Sequence, residues 1–277
     1  MKNIIFGFLI ILNILNGNAQ DVATTKYTAH NKGKVFFFWG GNRDNFTKSD
    51  IRFWGNGYDF TIKDVSAQDK PKGWHVDYIN PARMTIPQTN FRIGYYISDH
   101  YSVSLGVDHM KYVMFQDRGV TISGNYPNAG TFDETLPNNQ VLLTEKFLTF
   151  EHTDGLNYVH AEVARVDDVS KLFKLPNTDK VQINFTEGIG AGLLYPKTNT
   201  MLMGMERHDD YRVSGYGISA KAGLNFTFYK YFFIQTELKG GYINMPDIRT
   251  TFDPADRASQ NFLFLEKTIA FGGIFRL

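Results

Sequence analysis

The chain has 277 residues, 15% of them aromatic, with 29 Lys and Arg against 28 Asp and Glu and no cysteine. So even a charge balance argues against a nucleic-acid partner. Without thiols there is no disulfide scaffold, and an exported chain of this length must be held by its own core or by a closed ladder.

The first residues, Met1 to Ala19, have the three parts of a secretory signal: Lys2, the apolar run Ile4 to Leu15, and the small residues Gly17 and Ala19 before a cut. The run is too short for a membrane helix of roughly 20 residues. The expected organisation is a signal peptide over 1–19 and a β-barrel over 20–277 whose N-terminal part is irregular. Setting Lys2 aside leaves 28 groups of each sign.

Lys34 to Asn42 reads as a strand apolar on both faces, and Ile51 to Lys63 as a strand broken by Gly55, Asn56 and Gly57. From Thr89 onward the alternation is regular. Phe91, Ile93, Tyr95 and Ile97 oppose Asn90, Arg92, Gly94 and Tyr96, and after Asp99-His100 the segment Tyr101 to Phe115 begins with Tyr101, Val103, Leu105 and Val107 on one face. Further strands are expected over 156–166, 181–195, 211–228, 231–243 and 263–277. Short turns at Asp99-His100 and Tyr229-Lys230 contrast with long polar links at 116–154, 196–210 and 245–261. That asymmetry fits a barrel crossing a bacterial outer membrane, with short turns inside and long loops outside. An even strand count is required when both termini lie on one side, so the expectation is eight or ten strands, with ten favoured by splitting the broken segment.

The polar strand faces are thin in charge and rich in Gly, Ser, Thr and Asn, which suits a narrow lumen rather than a solvated exterior. Aromatic residues gather near the short turns, at Tyr95, Tyr96, Tyr101, Tyr229, Tyr231, Phe232 and Phe233, as interfacial girdles do. Glu187 and Lys267 fall on apolar faces and call for a local bulge.

With its signal, its girdled strands and its terminal AFGGIFRL, the chain resembles small outer-membrane β-barrel proteins of Gram-negative bacteria. The resemblance covers about residues 89–277. It implies a closed antiparallel barrel, contact with outer-membrane lipid and lipopolysaccharide, and assembly by the barrel-insertion machinery, which reads the last strand. Phe271 and Phe275 match the alternation of that strand, while Leu277 stands where a terminal aromatic is usual.

Charges expected in the lumen are Glu162, Lys221, Glu237, Lys239 and Glu266, with Arg92 and Asp108 on other strands. Opposite signs in so narrow a space should pair, as a polar plug or as the constriction of a small-solute channel. His152 and Asp154 share a parity with Tyr158, His160 and Glu162. Their placement is similar to the His and Ser of outer-membrane phospholipases and lipid A deacylases, with Asp154 at the serine position, so a lipid hydrolase is the enzymatic alternative. Glu151, Asp154 and Asp108 are oxygen donors that a rim calcium ion would need. His109 and Lys111 are expected to project outward toward lipopolysaccharide phosphates. No cofactor is expected. The favoured reading is a non-enzymatic structural or ligand-binding barrel with a plugged lumen.

Overall fold

The computed structural model describes residues 30–70, 88–175, 178–208 and 210–276. The expected signal peptide lies outside the described residues. Eight strands form the wall: β1 (Lys34–Phe46), β2 (Thr89–Tyr96), β3 (Tyr101–Met114), β4 (Leu148–Asp168), β5 (Val181–Leu194), β6 (Gly215–Phe228), β7 (Phe232–Arg249) and β8 (Arg257–Arg276). Each pairs antiparallel with the next, and β1 pairs with β8 from Lys34 opposite Arg276 to Phe46 opposite Phe264. Closure gives every wall strand two partners, the condition for a sheet to cross lipid.

The wall therefore has eight strands rather than the favoured ten, and they are not the eight that the pattern suggested. Lys34–Phe46 belongs to the wall. Its two apolar faces have different neighbours: Phe37 and Trp39 point out, while Phe38 is buried in the lumen. The broken segment instead folds into a hairpin, Ser49–Gly55 against Tyr58–Val65, which leaves the wall by pairing Ile51–Trp54 with Arg257–Gln260 of β8. Strands Gly119–Asn125, Gln140–Leu142 and Thr135–Leu136 extend that hairpin in turn. The expected link 245–261 is largely strand, because β7 continues to Arg249 and β8 begins at Arg257.

Alternation sets the two surfaces. Outward residues such as Ile93, Leu105, Val163, Ile189, Ile218 and Ile269 are exposed and apolar. Water would penalise such a surface, and hydrocarbon does not. The short turns and both ends of the wall lie at one mouth, where Tyr95, Tyr101, Tyr229, Tyr231 and Phe232 are exposed as a girdle. Tyr96 and Phe233, expected in that girdle, are buried and face inward. Neither Glu187 nor Lys267 sits on a bulge. Glu187 stands opposite Arg165, a favourable cross-strand pair, and exposed Lys267 stands opposite exposed Arg43.

At the other mouth the loop hairpins fold over the opening. Phe53 meets Phe150 edge-on at 5.6 Å, and Phe60 stacks on Phe147 at 6.1 Å. Tyr112 and Phe262 stack at 5.2 Å below them. These side chains form one buried apolar core that reaches down to Tyr158 and Phe264 inside the barrel.

Candidate functional site

Inward positions at mid-barrel bring charge from six wall strands to one place. Arg92 on β2 donates to Asp108 at 2.8 Å and to Glu162. Lys239 on β7 meets Asp108, Glu162 at 3.2 Å and Glu266 at 3.8 Å. Lys221 on β6 bridges Glu162 at 2.8 Å and Glu237 at 2.6 Å. His160 Nε2 lies 3.0 Å from Asp108. Three cations thus face four carboxylates and one imidazole, all buried. Desolvation makes each charge depend on its partners, since an unpaired ion here has no water to replace them.

The expected lumen residues Glu162, Lys221, Glu237, Lys239 and Glu266 are all brought together, with Arg92 and Asp108 at their centre. Buried amides extend the network. Asn90 donates to Asp108 at 2.6 Å and Glu266 at 2.9 Å, and Asn42 donates to Glu266 at 3.2 Å. Toward the short turns, Gln235 donates to Glu237 at 2.6 Å and Asn225 donates to Gln235 at 3.0 Å. Sequence reasoning passed over these amides. Asn90 and Gln235 carried the signal, as polar residues on the inner parity, whereas Asn42 was hidden in a segment that read as apolar throughout. Gly106 makes the arrangement possible, because a Cβ there would collide with the Arg92 side chain and the Phe91 carbonyl.

Apolar groups close both ends of the network. Below it, Phe38, Tyr96, Phe233 and Ile274 pack together, and Arg92 lies over the Phe38 ring at 5.3 Å. Above it, Tyr158 stacks on His160 at 4.5 Å, beneath the core of the outer mouth. A concavity of about 1280 Å³ has an almost wholly apolar lining, with Glu162 the one member of the charge network that reaches it. It follows the lipid-facing side, walled by outward residues such as Ile93, Leu105, Ile189 and Ile218.

The cluster proposed for lipid hydrolysis is pulled apart. The pairing of β3 with β4 shifts between His152 and Leu156, and Gly155 at the shift has φ +140°. His152 stays inside, while Asp154 turns out to meet Lys197 at 3.4 Å. His152 lies 3.0 Å from the Thr198 hydroxyl, both are buried, and the Tyr112 and Phe150 rings pack against the imidazole. This part of β4 stands above the lipid band, and burial pushes the imidazole down to about 3. A base so weak and so enclosed is poorly suited to activate a nucleophile.

The three proposed calcium donors are likewise separate. Glu151 accepts from Thr153 at 2.8 Å and pairs with Lys70 at 3.6 Å, Asp154 is on the outside, and Asp108 is in the barrel centre. Among the described residues no group of three or more His, Asp or Glu side chains is placed to hold a metal ion. His109 and Lys111 are buried rather than projecting, and His109 bonds Asn157 at 2.7 Å.

A closed antiparallel barrel with an apolar exterior, an aromatic girdle and a polar lumen is an outer-membrane β-barrel, and the protein resides in that membrane. No family model matches the chain and no curated protein sequence matches it. Among solved structures it is similar to Ail, the attachment invasion locus protein of Yersinia pestis, at 13% identity and a TM-score of 0.30, covering 88% of this chain and 99% of that one. It is similar to the outer membrane protein OprG from Pseudomonas aeruginosa at 10% identity and a TM-score of 0.40, covering 90% and 99%. It is also similar to the outer membrane protease OmpT from Escherichia coli at 6% identity and a TM-score of 0.37, covering 91% and 100%.

Proposed function

We propose that this protein is a non-enzymatic, non-conducting outer-membrane barrel whose outward loop sheet serves as a structural or ligand-binding surface. The observation that carries this reading is the double seal. A paired charge network fills the middle of the lumen, the Phe38–Phe233 layer lies below it, and the aromatic core lies above. An eight-stranded barrel is just wide enough for its side chains to fill. The channel alternative needs a water path through that filling, and the hydrolase alternative needs a substrate path to His152. The lipid-facing band takes outer-membrane lipid as its partner.

Planar-bilayer recording of the folded protein tests this. The expected result is no discrete conductance from the native protein. Discrete steps altered by Lys221→Ala or Glu237→Ala would overturn the sealed-lumen reading in favour of a channel.

A further inference from the structure

Just above the lumen charges, the end of β1, the first loop and the start of β2 place acidic and amide oxygens side by side. Gln88 donates its amide to Asp44 Oδ2 at 2.7 Å, and the Asp44 backbone N–H donates to Asp69 Oδ2 at 3.0 Å. The second oxygen of each group is left over. Asp44 Oδ1, Asp69 Oδ1 and Gln88 Oε1 are all buried without a hydrogen-bond partner. Asp44 is 4% exposed and Gln88 is 6% exposed. Gln88 is held by its own amide nitrogen against Asp44, so its free oxygen lies within the same cluster. Asn42, on the same face of β1 as Asp44, has a further unpartnered buried oxygen.

These groups form no ion pair with a cation of the protein among the described residues. Arg43 is turned to the outer surface, where it donates to the Asn42 carbonyl at 2.6 Å, so its charge reaches Asp69 only from a distance and not as an ion pair. The carboxylates below add to the imbalance, since the central network already holds four acids against three bases. Asp44, buried, and Asp69, half-buried, stand beside it with one unsatisfied buried oxygen each, which calls for positive charge. The donors are all oxygen, from carboxylates and an amide, which selects a hard divalent cation over a transition metal.

We propose that Asp44, Asp69 and Gln88 form a binding site for a calcium-like divalent cation at the outer mouth of the barrel. The ion would tie the first loop to β1 and β2 and offset the excess negative charge of the lumen. This site shares no residue with the earlier set of Glu151, Asp154 and Asp108, and it does not depend on whether the lumen conducts.

The test is calcium titration of the detergent-folded protein by calorimetry, paired with thermal unfolding in calcium and in EDTA. The expected result is one site per chain and an unfolding temperature several degrees higher at about 100-fold excess over Kd. Asp69→Asn lies on the loop and leaves the wall intact, so it should still fold, with calcium affinity reduced at least about tenfold. Asp44→Asn should do the same where it folds. Equal calcium responses from the native protein and Asp69→Asn would overturn the proposal. So would an absence of binding heat together with a rise in stability on acidification in EDTA, because the two carboxylates would then share a proton instead of an ion.

Discussion

Lys239 touches three carboxylates within the lumen, and its fate decides whether the network holds. Replacing it with Met removes a cation that Asp108 and Glu162 share with Arg92 and leaves Glu266 with only its amide and hydroxyl donors. Breaking a buried pair in this way costs about 3–5 kcal/mol. The expected outcome is a lower urea midpoint in detergent, and a midpoint equal to that of the native protein would show the charges to be hydrated after all. His152 makes a different claim at the same scale. Its folded pKa of about 3 lies below the ordinary 6.5, so the folded state refuses a proton that the unfolded chain accepts. Its contribution to stability is complete above pH 6.5 and declines as pH falls toward the folded value. His152→Phe should flatten the loss of stability between pH 7 and pH 5, read from urea midpoints at both. The polar parity of β4, β6 and β7 made the lumen residues legible. The bulge that parts His152 from Asp154 was not, because Gly155 looks like any turn glycine until the strand is seen to continue through it.

The loop elements have their own anchors. In the loop after β3, Glu134 is buried and accepts from the Gly130 and Phe132 backbone N–H groups at 2.5 and 2.9 Å and from Tyr126 at 2.8 Å. Burial alone would raise its pKa, but these donors hold the carboxylate below its ordinary range. Its contribution is therefore present above the ordinary carboxylate pKa and lost as pH falls through the lower folded value. Glu134→Gln should make this loop more sensitive to protease at neutral pH, with cleavage rates approaching those of the native protein in acid. Phe60 tests the apolar clamp. Phe60→Ala should cost about 3–5 kcal/mol, seen as faster proteolysis of the first loop while the wall keeps its folded mobility on an unheated detergent gel. Unchanged proteolysis would mean that the loop sheet does not depend on the core. The segment Ile51 to Lys63 reads as strand broken at Gly55, Asn56 and Gly57. Its position above the membrane was not legible, because a lid over a barrel mouth needs the same alternation as a wall.

At the scale of the molecule, closure joins the first described strand to the last, which no local pattern could specify. The long stretches of alternation announced a barrel, and the even-number rule restricted its size. Choosing eight over ten required knowing that the second segment pairs with only the outer end of β8. The same topology makes one face lipid and the other a filled lumen, so adjacent residues should live in different media. The absence of native cysteine makes this directly measurable with single-cysteine variants of intact cells. The decisive pair is Ser104 and Leu105, neighbours on β3 that face in and out. The expected result is that Leu105→Cys reacts only with a lipid-soluble maleimide and Ser104→Cys with neither that reagent nor a charged, membrane-impermeant one. Reaction of Leu105→Cys with the impermeant reagent would place water outside the wall, and reaction of Ser104→Cys would place it inside; either would contradict a sealed barrel embedded in the outer membrane.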